Sequence, residues 1–190
     1  MDPSPTPATR ETKRYITALN EAGKSIFTVS PDLHYHFQGG ISYSRLYGTN
    51  ATPPNRHANA DIKQYLSQDG DVNITSFSNT AIAIPGGINF IQAEIAPSAI
   101  FPWHRTLSVD FVTVIDGVIE IEVEEAGDMA KKILLKPGDS VIQRATVHRW
   151  INPSSTSSAR FVVTTVSTEL PSHPNSVDDA AGKYDPFLIP

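Results

Sequence analysis

Two polar stretches set into a succession of short apolar segments constrain this chain most. The first is Trp103-His104-Arg105-Thr106-Leu107-Ser108-Val109-Asp110, closed by Gly117. The second is Pro137-Gly138-Asp139, followed by Gln143-Arg144-Ala145-Thr146-Val147-His148 and then Asn152. Around them, Ile88 to Ile95, Phe111 to Ile115, Val118 to Val123, Lys132 to Leu135, Ser140 to Ile142, Val147 to Ile151 and Arg160 to Val166 read as strands. Each is short, rich in apolar and β-branched residues, and bounded by Gly, Pro or Asp. Such a series predicts an all-β sandwich or barrel. Side chains alternate faces along a strand, so a regular strand puts His104, Thr106, Ser108 and Asp110 on one face. Four polar groups there point to a polar pocket. With His148 opposite, the set holds two imidazoles and a carboxylate. That set holds divalent metals with open positions for substrate, and it also serves acid–base chemistry without metal.

The spacing resembles the two motifs of the cupin superfamily. His104 stands at the first histidine place of the first motif, Thr106 at the second, Asp110 at the glutamate place and Gly117 at the closing glycine; Ser98 stands where the opening glycine would be. In the second motif Gly138, His148 and Asn152 match, the turn is one residue short, and Gln143-Arg144-Ala145-Thr146 replaces Pro-x-Gly. The variant is similar to small single-domain cupins with an HRT-x-S-x-D signature, whose fungal members often accompany polyketide and other secondary-metabolite pathways. The resemblance implies a double-stranded β-helix, a jelly-roll barrel with added N-terminal strands, and a homodimer that pairs or exchanges residues 12 to 47. It implies a divalent metal (zinc, iron, manganese or nickel) on His104, Asp110 and His148, although family members usually use three histidines and a glutamate. Threonine is a poor ligand, so the Thr106 vertex would be open or water-filled. Aspartate reaches roughly 1.5 Å less far than glutamate, about one carbon–carbon bond, which leaves Asp110 free to bond an imidazole or a substrate hydroxyl instead.

Several function classes are excluded or unsupported. A net charge of −5 gives no electrostatic reason to bind nucleic acid. There is no cysteine, hence no disulfide framework and no thiolate site. The polar, proline-rich start Met1-Asp2-Pro3-Ser4-Pro5-Thr6-Pro7 lacks the apolar core of a signal peptide, and no run is long enough to span a membrane, which suits the cytoplasm. Neither a Gly-x-Gly-x-x-Gly stretch nor a phosphate-binding loop is present, so no nucleotide cofactor is expected. The chain divides into a disordered tail at 1–11, N-terminal strands and a loop at 12–84, the barrel at 85–168 and a C-terminal tail at 169–190.

The expected site has His104, Asp110, His148 and Arg144 as catalytic groups. Thr106, Ser108, Trp150, Gln143 and Glu94 are its expected lining. Arg144 is read either as the holder of a carboxylate or enolate oxygen or as an exposed turn residue. Trp150 is read as pocket wall or core, and Glu94 as a second acid or part of an exposed strand face with Phe90 and Gln92. His34 and His36 are assigned to a loop or dimer interface outside the pocket. The expected activity is tailoring of an oxygenated, carbonyl-bearing small molecule by dehydration, decarboxylation, isomerisation or cyclisation. An iron-dependent oxidoreductase and a non-catalytic metabolite-binding module are the alternatives.

Overall fold

The structure, a computed structural model, describes residues 12–28, 30–124 and 130–169. The tails read at 1–11 and beyond 169 lie outside the described residues. The elements in chain order are β1 (Ile16–Leu19), β2 (Ser25–Thr28), β3 (His36–Gln38), β4 (Ile41–Thr49), α1 (Ala60–Tyr65), β5 (Ile88–Ile95), β6 (Ser108–Asp116), β7 (Ile119–Val123), β8 (Lys131–Leu135), β9 (Ser140–Arg144), β10 (His148–Ile151) and β11 (Ala159–Ser167). β1 and β2 form a separate hairpin. The other strands make a six-stranded sheet, β3-β4-β5-β11-β6-β9, and a three-stranded sheet, β10-β7-β8. The pairings are antiparallel, so each sheet can present one apolar face to the other.

The core lies between these faces. Ile91, Ala93, Ile95, Val112, Val114, Phe161 and Val163 come from the large sheet, and Ile119, Ile121, Leu135 and Trp150 from the small one. Fully burying a side chain of Ile or Val size contributes roughly 1.5–3 kcal/mol, so this two-sheet core is the main favourable term. Two antiparallel bridges, Ile100↔Ile151 and His104↔His148, tie the 100–104 segment to β10 and extend the small sheet.

The turns explain where the motif glycines can and cannot be replaced. Gly117, between β6 and β7, has φ +70°, and a Cβ there would sit 2.8 Å from Ala159 Cα and from Ser158 O. Only glycine fits without a shift of backbone. Ser98, in the opening-glycine place, also takes a positive φ of 58°, as does Ala145 at 50°. These residues keep the motif's backbone course at a conformational cost that glycine would avoid.

Register orders the inner face of the large sheet. Asn89, Thr165, Asp110 and Gln143 stand side by side across β5, β11, β6 and β9. This polar row borders the apolar row of Ile91, Val163, Val112 and Val141. A loop closes over the polar end, held by side chains bonding its backbone. Arg45 donates to the carbonyls of Ile74, Ser76 and Ala81, and to Asn89 Oδ1. Asn89 donates to the carbonyls of Ala81 and Ile82, and Thr165 to Ile82. Arg45 is 2% exposed, and these acceptors satisfy its donors in place of water.

Two local expectations are corrected. His36 begins an edge strand that pairs with Tyr43, which removes the loop reading of that residue and leaves the interface one. Gln92 and Glu94 do not belong to an exposed face; they are 5% and 4% exposed. Thr12 crosses that face and accepts hydrogen bonds from Gln92 and Arg160. Phe90 alone of that trio stays partly open.

Candidate acid–base site in the barrel cavity

The site is built by the bridge between the two motifs. His104 N donates to His148 O and His148 N donates to His104 O, each at 3.0 Å. A directly paired antiparallel couple puts both side chains on the same face. The two imidazole rings stand with centroids 4.3 Å apart and planes at 51°. Beside them a cavity of about 70 Å³ runs between the sheets. Its walls are largely apolar: Ile41, Tyr43, Ile91, Phe101, Val112, Trp150, Phe161 and Val163. Among the described residues its polar lining groups, beside the Tyr43 hydroxyl, are His104, Thr106, Asp110 and His148.

His104 is 4% exposed and packs edge-on against Phe101 at 4.9 Å. Its Nδ1 lies 2.9 Å from Pro102 O. A carbonyl can only accept, so Nδ1 carries the proton and Nε2 the lone pair. Burial pushes its pKa from 6.5 down to about 4, against the smaller upward pull of the Pro102 carbonyl. His148 is 1% exposed, edge-on to Trp150 at 5.6 Å. Burial, reinforced by the neighbouring His104 and opposed by the Thr146 carbonyl, pushes it down to about 3. Both rings are therefore neutral at neutral pH.

Asp110 behaves in the opposite sense. It is 6% exposed, and burial pushes its carboxyl from 3.8 up to about 6, although the Ser108 hydroxyl donates to it and pulls the other way. Ser108 is fully buried and serves Asp110 rather than the cavity. Thr106 lies just before β6, which begins at Ser108, yet burial alternates through His104, Thr106, Ser108 and Asp110, the same face the sequence reading gave them. Trp150 is both wall and core, stacked on Phe161 at 5.3 Å. Gln143 is 2% exposed and reaches His148, its Nε2 lying 3.0 Å from Nδ1.

Two expected site residues lie elsewhere. Arg144 is exposed, because the alternation that turns Gln143 inward turns its neighbour out. It holds no oxygen in this cavity. Glu94 lies on the outer face of the large sheet, 3.3 Å from Arg160 NH2, and is absent from the cavity wall. Tyr43, Phe101 and Ile82 line the cavity without having been read as site residues. Their signal is tertiary: Tyr43 and Ile82 lie outside both motifs, and Phe101 lies inside the first motif at a position it leaves unspecified.

A resident metal would need three converging ligands from this set. His104 and His148 converge, but Asp110 takes its hydrogen bond from Ser108 and a threonine fills the place of a third imidazole. Among the described residues no three His, Cys, Asp or Glu side chains come together to hold an ion. The groups do not fit a three-ligand centre.

The raised carboxyl has a consequence for stability. A group whose folded pKa lies above its unfolded value stabilises the fold below the unfolded value and loses that contribution as pH rises through the folded one. For Asp110 the loss falls between pH 4 and 6 and amounts to about 2–3 kcal/mol above it. Asp110→Asn removes the buried charge. Denaturant titration should show the variant more stable than the parent at pH 7.5 and nearly equal to it at pH 4. A variant less stable at pH 7.5 would show that the carboxylate is well compensated where it sits.

Comparison with known proteins agrees with this architecture. Residues 92–165 match the cupin domain family. The chain is 35% identical to the oryzines biosynthesis cluster protein J of Aspergillus oryzae, over 77% of this chain and 78% of that one. It is 32% identical to the phomopsin biosynthesis cluster protein C' of Diaporthe leptostromiformis, over 86% and 82%. It is 28% identical to the cupin-domain-containing oxidoreductase srdD of Neurospora crassa, over 78% and 70%. With two facing antiparallel sheets, both motifs meeting at one cavity and these relatives, the chain belongs to the cupin family and is similar to proteins of fungal secondary-metabolite clusters.

Proposed function

We propose that this chain is a small-molecule tailoring enzyme of secondary metabolism. In this reading it acts on an oxygenated carbonyl compound, polyketide-like in character, by proton transfer without net redox change. Dehydration, decarboxylation, isomerisation and cyclisation through an enolate all belong to that class. One observation carries the reading: an apolar cavity holds one carboxyl pushed up to about 6 beside two imidazoles pushed down to about 4 and 3. Groups pushed apart in this way take distinct acid–base roles. Asp110 is the base, because general-base catalysis is most effective with a pKa near the working pH. His104 turns an Nε2 lone pair to the cavity and accepts a hydrogen bond from a substrate hydroxyl. The apolar wall excludes water from the enolate and strengthens each of these contacts.

Cavity size narrows the substrate's pose. About 70 Å³ holds only a handful of waters, so the reacting end of the substrate enters and the remainder stays at the mouth. Names of the relatives support the pathway class, since oryzines and phomopsin clusters each contain such a protein. They also favour a second reading, an oxidoreductase, because the Neurospora crassa and Aspergillus ruber relatives are so named. A homodimer is part of the proposal. The β1–β2 hairpin leaves Tyr15 and Phe27 each 73% exposed, and an isolated two-stranded hairpin is marginal without a covering surface. Light scattering should give twice 20.7 kDa; a monomer at micromolar concentration would remove this part.

The experiment is turnover of clustered-pathway intermediates under strict exclusion of dioxygen. The expected result is full activity, rising with pH through an apparent pKa of about 6 as Asp110 ionises. Asp110→Asn should lose roughly 10²–10⁴-fold in kcat/KM, the usual loss for a general base, while Arg144→Ala stays near the parent. An absolute oxygen requirement would hand the site to the oxidoreductase reading. Tight binding with no turnover in either atmosphere would make it a binding module.

A further inference from the structure

The two histidines are not equivalent, and the difference lies in what their Nδ1 atoms face. At His104, Nδ1 lies against an acceptor, Pro102 O. At His148 there are two neighbours with opposite demands. Thr146 O, 3.0 Å away, calls for a proton on Nδ1; Gln143 Nε2, also 3.0 Å away, calls for a lone pair there. Gln143 Nε2 additionally lies 3.3 Å from Thr146 O. An amide NH₂ has two hydrogens. One serves the Thr146 carbonyl and the other serves His148 Nδ1, while Gln143 Oε1 is left buried without a partner among the described residues. With the amide so oriented, a proton on Nδ1 would set N–H against N–H at 3.0 Å in a place 2% exposed. With the amide turned over, Nδ1 could keep its proton, but the NH₂, with two donors, would then stand where Oε1 finds no partner, a costlier burial than that of one carbonyl oxygen.

We propose that Gln143 is a positioning residue that holds His148 in the tautomer protonated on Nε2, so that the paired imidazoles turn one lone pair, from His104, and one N–H donor, from His148, into the cavity. This deepens the acid–base reading above and rests on it for its catalytic meaning. His148 then has the form needed to bond the oxygen of a developing enolate. It keeps its proton throughout: giving it up would leave an imidazolate, whereas a hydrogen bond from a neutral ring stabilises the oxyanion at no such cost. Asp110 takes the carbon-bound proton, the enolate charge gathers on the oxygen held by His148, and the proton on Asp110 returns to carbon or to the leaving oxygen. Gln143 touches no substrate in this scheme. Its place is fixed by register: it is the cross-strand partner of Asp110, so base and tautomer selector are aligned on neighbouring strands.

The test reads the tautomer directly, with no substrate present, so it stands apart from whether any compound turns over. Protein labelled with ¹⁵N-histidine is assigned by single-histidine variants, and long-range ¹H–¹⁵N correlation distinguishes the protonated ring nitrogen from the bare one. In the parent protein His148 should be protonated on Nε2 and His104 on Nδ1. Gln143→Glu, which is isosteric and places an acceptor at Nδ1, and Gln143→Met, which removes the donor, should both move the His148 proton to Nδ1 and leave His104 unchanged. A parent protein with the His148 proton on Nδ1 overturns the inference, and that measurement needs no variant to fold. A Gln143→Glu protein that keeps the proton on Nε2 overturns it as well. Where a substrate has been found, Gln143→Met should lower kcat at least tenfold with KM little changed, since the donor matters most when charge develops.

Discussion

The reciprocal backbone pair between His104 and His148 is the contact from which the site follows. It is one rung of an antiparallel ladder, yet it joins the segment before β6 to the start of β10 and so brings two distant motifs onto one face. Without it the imidazoles would belong to separate loops. With it their rings stand 4.3 Å apart under the same apolar roof. Taking two imidazoles out of water then costs what holding them neutral implies, and the two-sheet core must supply that cost. The fold therefore carries a strained electrostatic arrangement on an ordinary hydrophobic foundation, which is a common condition of sites that do chemistry.

Burial has opposite effects on the two residue types, and this sorts the roles. Desolvation disfavours whichever form is charged, so it lowers imidazoles and raises a carboxyl by the same physics. His104 and His148 lose their ordinary capacity to act as acids near neutrality, and Asp110 acquires it. A reading from residue type alone would make a histidine the base. In the proposed mechanism the surroundings reverse that assignment. Arg144 lies outside the cavity, and in the proposed tautomer a neutral donor from His148 takes the place of a positive centre.

Much of the fold was legible because strand signals are local. Ile88–Ile95 occupies the span read from its apolar run, and β6 to β11 differ from expectation by at most a few terminal residues. The site histidines were legible because motif spacing fixes which strands they begin. Other features depended on contacts no window of sequence contains. The edge strand at His36–Gln38 exists because β4 lies beside it, and its own residues carry no strong period. Glu94 and Gln92 looked exposed, since nothing near them in the chain tells of Thr12 crossing their face. The clamp of Arg45, Asn89 and Thr165 on the 74–82 loop joins three separate strands and could not be inferred from any one. Arg144 is different. Its outward direction follows from the period of two once Gln143 points inward, and of its two readings the exposed one holds.

The central claim is the inverted order of acidities in the cavity, and a side-chain NMR titration from pH 8 to pH 5 tests it most directly. The Asp110 carboxyl carbon should titrate near pH 6, while the ring signals of His104 and His148 hold their neutral shifts across the whole range. An Asp110 midpoint near 4, or an imidazole midpoint near 6.5, would show that the cavity does not desolvate these groups and would contradict the account.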